Sequence, residues 1–229
     1  MKLSVIIPVY NEEHTIVEII NRVKAVNINK EIIVVDDCST DGTREILKSL
    51  SVSNNQIKLY FHETNSGKGS AIRTALQHIS GDIVIIQDAD LEYDPQDYHN
   101  LIEPIINGKG LVVYGSRMLS HNLSNYSHLS FLLGGLFLSW LTNILYKANI
   151  TDEPTCYKAF RTDVIKDLNL KCKKFEFCPE VTAKILKKGI KICEVPISYN
   201  PRKKQEGKKT NWKDGVHAIW TLLKYRLRS

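Results

Sequence analysis

The chain has 229 residues, 43% of them hydrophobic, with 12 Gly and 7 Pro, a composition that excludes disorder, collagen and small disulfide-stapled scaffolds. Its net charge of +6 is uneven: residues 201–229 hold nine basic and two acidic side chains, which leaves the first 200 residues at −1. An anionic ligand or surface is therefore expected near the C-terminus, and a nucleic-acid partner is not, since a binder of that kind spreads basic and aromatic residues over a whole face.

The N-terminal run MKLSVIIPVY is followed at once by NEEH, too short an apolar stretch for an export signal, and reads as a core strand from residue 3. Cys38, Cys156, Cys172, Cys178 and Cys193 are odd in number and form no C-x-x-C pair, which argues against a disulfide framework and a structural zinc site. Both observations point to a reducing, cytoplasmic location.

Five apolar runs, LSVIIPV (3–9), EIIVVD (31–36), IKLYF (57–61), DIVIIQ (82–87) and GLVVYG (110–115), are rich in Ile and Val and lack polar alternation, the pattern of strands buried on both faces. Between them Glu12–Ala25, Asp41–Leu50, Gly67–Ile79 and Pro95–Ile106 have helical spacing, with Asp41 placed to cap and Pro95 to open a first turn. Alternating strands and helices predict an α/β fold with a mostly parallel sheet flanked by helices. Ligands of such sheets lie beyond the carboxyl ends of the strands.

The turns there carry the chemistry. The first strand ends in PVYNEE without G-x-G-x-x-G, and NSGKGS at 65–70 lacks phosphate-loop spacing, so hydride transfer and P-loop hydrolysis are disfavoured. The second ends in VVDDCSTDGT; a carboxylate there can accept N–H bonds from a nucleobase, and plain capping by Asp37 and Asp41 is the competing reading. The fourth ends in QDADLEY, where Asp88 and Asp90, with Glu92 within reach, have the hard oxygens that a divalent cation takes; surface carboxylates in an acidic turn are the bland alternative.

From Leu123 to Tyr146 there is no Asp, Glu, Lys or Arg, but Ser130, Gly134, Gly135, Ser139, Thr142 and Asn143 lower the hydropathy, which favours a helix lying at a membrane surface or packed on the domain over a span. The scattered His14, His62, His78 and His121 read as surface or satisfied core residues. EVPISYN at 194–200 reads as a final strand, with Pro196 marking an edge. In VHAIWTLLKYRLR, Val216, Ile219, Trp220 and Leu223 share a helix face that ends in Lys224, Arg226 and Arg228, as suits a membrane interface.

SVIIPVYNEE, VVDDCSTDGT, NSGKGSAIRTAL, DADLEY, GSR at 115–117, TDEPTCYKAF and YNPRKKQEGKKTNWKDG stand in the order found in family 2 glycosyltransferases, and within that family the chain resembles the dolichyl-phosphate mannose synthase and polyprenyl-phosphate glycosyltransferase branch. The resemblance implies a GT-A (Rossmann-like) domain over 1–200, with a nucleotide-sugar half at 1–117 and an acceptor half at 118–200, and a short basic helical tail at 201–229 for membrane surface and acceptor phosphate. It implies that Pro8, Tyr10, Glu12, Val35, Asp37, Asp88, Ala89 and Asp90 bind the nucleotide sugar, and that Asp88, Asp90 and Glu92 hold Mg2+ or Mn2+. Arg117, Arg202, Lys208 and Lys209 would hold the acceptor phosphate, with Asp90, Asp152 and Arg117 as catalytic candidates. The implied reaction is inverting transfer from GDP-mannose or a UDP-sugar to dolichyl or undecaprenyl phosphate by a peripheral membrane enzyme; transfer to a sugar hydroxyl in cell-surface polysaccharide synthesis is the alternative. Asp152 reads either as a general base for that alternative or as a turn residue.

Overall fold

Uninterrupted Val and Ile runs become central strands because helices cover both faces of the sheet. The structure is a computed structural model describing residues 1–52, 57–120, 129–202 and 212–227. Strands β1 (Leu3–Val9), β2 (Lys30–Asp36), β3 (Ile57–Phe61), β4 (Ile83–Ile86), β5 (Val112–Ser116), β6 (Lys158–Arg161) and β7 (Ile192–Pro196) form one sheet in the order β3-β2-β1-β4-β6-β5-β7. Helices α1 (Ile16–Ala25), α2 (Thr43–Val52), α3 (Lys68–Leu76), α4 (Tyr98–Ile106), α5 (Leu129–Tyr146), α6 (Thr162–Asp167), α7 (Phe177–Lys187) and α8 (Trp212–Leu227) complete the chain. The α/β arrangement, a mostly parallel sheet flanked by helices with a C-terminal helix, agrees with the expectation.

Ile7, Val34 and Ile85 pack under α1 and α4 on one face, while Ile6, Val35 and Ile86 pack under α3 and α7 on the other. The chain steps from β1 outward to β2 and β3, then returns to place β4 on the opposite side of β1. This reversal leaves a crevice at the carboxyl ends. The register pairs Val9 with Asp36 and Ile6 with Ile86, so the turns that begin at Tyr10, Asp37 and Gln87 emerge side by side.

One strand was not legible in the sequence. β6 runs antiparallel between β4 and β5, and it carries Lys158 fully buried. Its ammonium donates to the Glu153 carbonyl at 2.8 Å and lies 3.3 Å from the Tyr114 ring centroid, so a charged residue hides a core strand. The final strand sits at the sheet edge as Pro196 suggested, but over 192–196; beyond it Tyr199 makes an isolated bridge with Tyr93. Pro95 opens a 3-10 turn, capped by Asp94, that precedes α4. The described part of the uncharged segment, Leu129–Tyr146, forms α5, which packs with α7 and α8 through Leu138, Ala183, Ala218 and Leu222. No helix among the described residues is long and apolar enough to cross a membrane.

At the opposite edge from the crevice, buried Glu31 accepts from Ser4 Oγ at 2.6 Å, Ser80 N at 2.6 Å, Lys58 Nζ at 2.9 Å and Lys2 Nζ at 3.0 Å. Burial raises its pKa, but these bonds outweigh it and hold the carboxyl well below its ordinary value. Its stabilisation is therefore complete above the unfolded-state pKa and is lost as pH falls through the folded one. Glu31→Gln is expected to cost about 2 kcal/mol at pH 7 in urea unfolding, and the gap from the parent should shrink as the pH is lowered below 4.

Candidate functional site

Three residues other than glycine have left-handed backbone in the three turns that face the crevice: Asn11 (φ 50°) after β1, Cys38 (φ 64°) after β2 and Leu91 (φ 62°) after β4. Such conformations are costly for side chains with a Cβ and concentrate at functional sites. Here they turn the chain sharply enough for Tyr10, Asp37 and Asp90 to border one cavity.

Asp37 is buried at the end of β2, and its carboxylate accepts from Ser66 N (2.9 Å), Gly67 N (2.6 Å) and His62 Nδ1 (2.7 Å). It thereby fixes the loop before α3, which leaves little of its acceptor capacity for a base. His62 also bonds Thr74 through Nε2 at 2.9 Å and is a satisfied core histidine. Gly67 has φ 92°, and a Cβ there would lie 2.5 Å from the Lys173 carbonyl oxygen. The amides of Gly69 and Ser70 donate to Lys174 and Lys173 carbonyls at 3.1 and 2.9 Å. The glycines of NSGKGS thus admit a close-packed neighbouring chain, and the first amides of α3 are spent on it.

Lys68, from the same loop, is ion-paired with Asp88. Burial opposes its charge, but Asp88, Cys156 and Cys178 lift its pKa well above the ordinary lysine value. Sequence reasoning rejected the loop as a phosphate cradle and so passed over this lysine; the signal available was a cation placed between two glycines at a strand-to-helix turn.

Asp90 is pushed up to about 7 by burial, with the charges of Asp88 and Glu92 adding to the effect. Glu92 is turned to the C-terminal segment, accepting from Tyr199 OH at 3.1 Å and Arg202 N at 2.9 Å. Among the described residues no three carboxylate, histidine or cysteine side chains converge as a metal site. The donor set still fits a divalent cation: two hard carboxylates a residue apart, one of them destabilised by its like-charged neighbours, suit an ion whose shell a diphosphate completes. Asp88 and Asp90 would supply it, while Glu92 is turned to Tyr199 and Arg202.

Arg202 is a strap across this edge. Its Nε donates to the Asp90 carbonyl at 2.7 Å, Nη1 and Nη2 donate to Glu12 at 3.2 and 2.7 Å, and Nη2 reaches Thr15 Oγ1 at 3.3 Å. This occupies the guanidinium expected to clamp acceptor phosphate, and it turns Glu12 from a free pocket residue into the partner of a cation far along the chain. Arg117 has a similar arrangement. Its Nε and Nη2 donate to the two oxygens of Asp152, both at 2.7 Å, its own amide donates at 2.9 Å, and its guanidinium lies 5.0 Å from the Tyr199 ring centroid. Asp152 is buried and its amide donates to Glu194 at 3.0 Å, so its carboxylate orients an arginine instead of standing free as a base.

A cavity of about 1230 Å³ unites these groups; its walls include Pro8, Tyr10, Glu12, Asp37, Asp88, Ala89, Asp90, Glu92, Arg117 and Arg202. Asp152 borders a small adjoining recess with Arg117. Val35, expected in the pocket, does not line it: it is fully buried in the core with Ala71 and Ile72 of α3, one step below the strand end where Asp37 meets the cavity. Lys208 and Lys209 lie outside the described residues. The far wall is mostly apolar, formed by Phe131, Phe137 and Leu138 of α5 and Trp212, Val216 and Ile219 of α8, with Ser130 and Asp214 as its polar members.

The model of Glycosyl transferase family 2 matches residues 4–168. A UDP-N-acetylglucosamine--dolichyl-phosphate N-acetylglucosaminyltransferase of Methanococcus voltae is 32% identical, over 98% of this chain and 96% of that one. A dolichol-phosphate mannosyltransferase of Pyrococcus furiosus is 30% identical over 98% of this chain, which spans 64% of that relative. Among solved structures, glucosyl-3-phosphoglycerate synthase of Mycobacterium tuberculosis, crystallised with Mn2+, UDP and phosphoglyceric acid, shares the fold with a TM-score of 0.72 at 21% identity, covering 100% of this chain and 79% of that one.

The strap yields a stability prediction. Arg202→Ala leaves Glu12 buried without its cation and should cost about 3 kcal/mol in chemical unfolding. In a Glu12→Gln background the same change should cost about 1–2 kcal/mol less, the coupling of a contacting pair.

Proposed function

Because the chain belongs to glycosyl transferase family 2 and is a glycosyltransferase of GT-A fold, we propose that it moves a sugar from a nucleoside-diphosphate donor to the phosphate of a polyprenyl lipid at a membrane surface. The observation that carries this reading is the two-ended cavity: charged at the strand ends, apolar where α5 and α8 meet, and continuous with an exposed apolar face. A sugar-hydroxyl acceptor gives no reason for the apolar end. The relatives named for dolichyl phosphate support the same acceptor class.

The donor lies along Pro8, Tyr10 and Asp37, with its diphosphate toward Lys68, Asp88 and Asp90. Asp88 and Asp90 are the residues to hold Mg2+ or Mn2+, which when bound offsets the charge of the departing diphosphate as a Lewis acid. Lys68 beside Asp88 keeps the strand ends from repelling the donor's phosphates. The acceptor phosphate, with a second pKa of about 6, is already a nucleophile near neutral pH and needs to be held in line with the sugar carbon, not deprotonated. Arg117 is the cation for it, steered by Asp152; Lys208 and Lys209 are further candidates. The outcome is a single displacement with inversion.

Attachment to the membrane follows from α5 and α8. Leu133, Leu136, Phe137, Trp140 (57% exposed) and Ile144 line one face of α5, and Trp212, Val216 and Trp220 (64% exposed) line one face of α8. Solvent-facing tryptophans beside Lys213, Lys224 and Arg226 fit the headgroup zone of an anionic leaflet.

Purified protein supplied with labelled GDP-mannose or UDP-sugars and undecaprenyl or dolichyl phosphate should place label in the organic phase, and transfer to sugar hydroxyls alone would overturn the reading. Asp90→Asn should reduce turnover about 10²-fold or more, and EDTA should abolish it. Arg117→Ala should raise the KM for lipid phosphate, whereas Asp152→Asn should leave measurable turnover; a dead Asp152→Asn with a normal Arg117→Ala would favour the hydroxyl acceptor. Sedimentation with acidic vesicles should fall as salt rises, and Trp140→Ala with Trp220→Ala should weaken it further at fixed salt.

A further inference from the structure

Tyr93, Tyr98, Tyr157 and Tyr199 form one aromatic cluster, with ring centroids 5.0 Å apart for Tyr93 and Tyr157, 5.5 Å for Tyr93 and Tyr199 and 6.0 Å for Tyr98 and Tyr157. Three of the four hydroxyls donate to an acceptor within the protein: Tyr98 to Gln87 Oε1 at 3.0 Å, Tyr157 to the Asp94 carbonyl at 2.7 Å and Tyr199 to Glu92 at 3.1 Å. Tyr93 differs. Its oxygen accepts from the Cys156 amide at 3.4 Å, but among the described residues no acceptor takes its proton. A buried donor left unused costs stability and calls for a reason. Tyr93 is only 3% exposed, and it lines the cavity together with Arg117, Cys156 and Tyr199. The surroundings suit an anion: the Arg117 guanidinium lies 5.0 Å from the Tyr199 ring centroid, Tyr93 packs on that same ring, and Tyr93 is within electrostatic reach of Arg117 and Asp152.

We propose that Tyr93 is a further acceptor-binding residue, whose hydroxyl donates a hydrogen bond to an oxygen of the polyprenyl phosphate held by Arg117. This rests on the lipid-phosphate reading and on the role of Arg117 in it. A phenol keeps its proton near neutral pH and the terminal oxygens of an ionised phosphate accept, so the pair is charge-assisted. The ring is fixed by Tyr157 and Tyr199 and the oxygen by the Cys156 amide, which sets the position of the donor before the ligand arrives. A phosphate monoester has three terminal oxygens. Arg117 and Tyr93 hold two of them, and the third is left to face the sugar carbon.

Tyr93→Phe removes the hydroxyl and keeps the ring in the cluster. With labelled GDP-mannose or UDP-N-acetylglucosamine, whichever the full-length parent transfers to undecaprenyl phosphate in detergent, this variant should raise the KM for the lipid about 10-fold or more, the scale of one hydrogen bond to a charged group. The donor KM should stay within about twofold, and urea unfolding should keep a midpoint close to the parent's. Tyr98→Phe is the matched control: it strips a hydroxyl already bonded to Gln87, so it should lower the unfolding midpoint and leave both KM values unchanged. An unchanged lipid KM in Tyr93→Phe, a rise confined to the donor KM, or an equal rise in Tyr98→Phe would overturn the proposal while leaving the lipid-phosphate reading intact. A parent that transfers no sugar to undecaprenyl phosphate overturns that reading, and the role of Tyr93 with it.

Discussion

Acidic side chains gathered at the ends of parallel strands repel one another, and the site is built around their neutralisation. Most carboxylates in the crevice are held by a donor from elsewhere: Asp37 by the amides before α3, Asp88 by Lys68, Glu12 by Arg202 and Asp152 by Arg117. In a water-poor cleft an unpaired carboxylate is costly, so the ion pairs and the backbone turns must form together. The left-handed residues Asn11, Cys38 and Leu91 are where the backbone accommodates this demand. Asp90 is the carboxylate left with the least compensation, which is why its pKa is the one that rises.

The same arrangement explains how the C-terminal segment joins the domain. Arg202 reaches the first and fourth strand ends at once, so the chain after β7 closes one side of the cavity before continuing to α8. α8 then packs against α5 and α7 through Leu138, Ala183, Ala218 and Leu222, while Trp140, Trp212 and Trp220 stay exposed. The polar and apolar ends of the cavity thus arise from two different packing problems, and their meeting gives the lipid-phosphate reading its geometry.

The Val and Ile runs, the Gly and Asp turns and the order of the acidic motifs were legible in the sequence, because burial on both faces of a parallel sheet removes polar alternation and strand ends recur where apolar runs stop. They determined the α/β class, the position of the crevice and the identity of Asp37, Asp88 and Asp90 as its residues. Only the tertiary structure decided which cation meets which acid. Lys68 and Asp88 are 20 residues apart, Arg117 and Asp152 are 35 apart, and Glu12 and Arg202 are 190 apart. No periodicity links such positions; their partners are chosen by strand order and by the antiparallel insertion of β6, whose buried Lys158 conceals it. Val35 shows the limit from the other side: a motif places a residue near a site, but the packing of α3 over the sheet decides that Val35 is buried in the core while Asp37, two residues on, reaches the cavity.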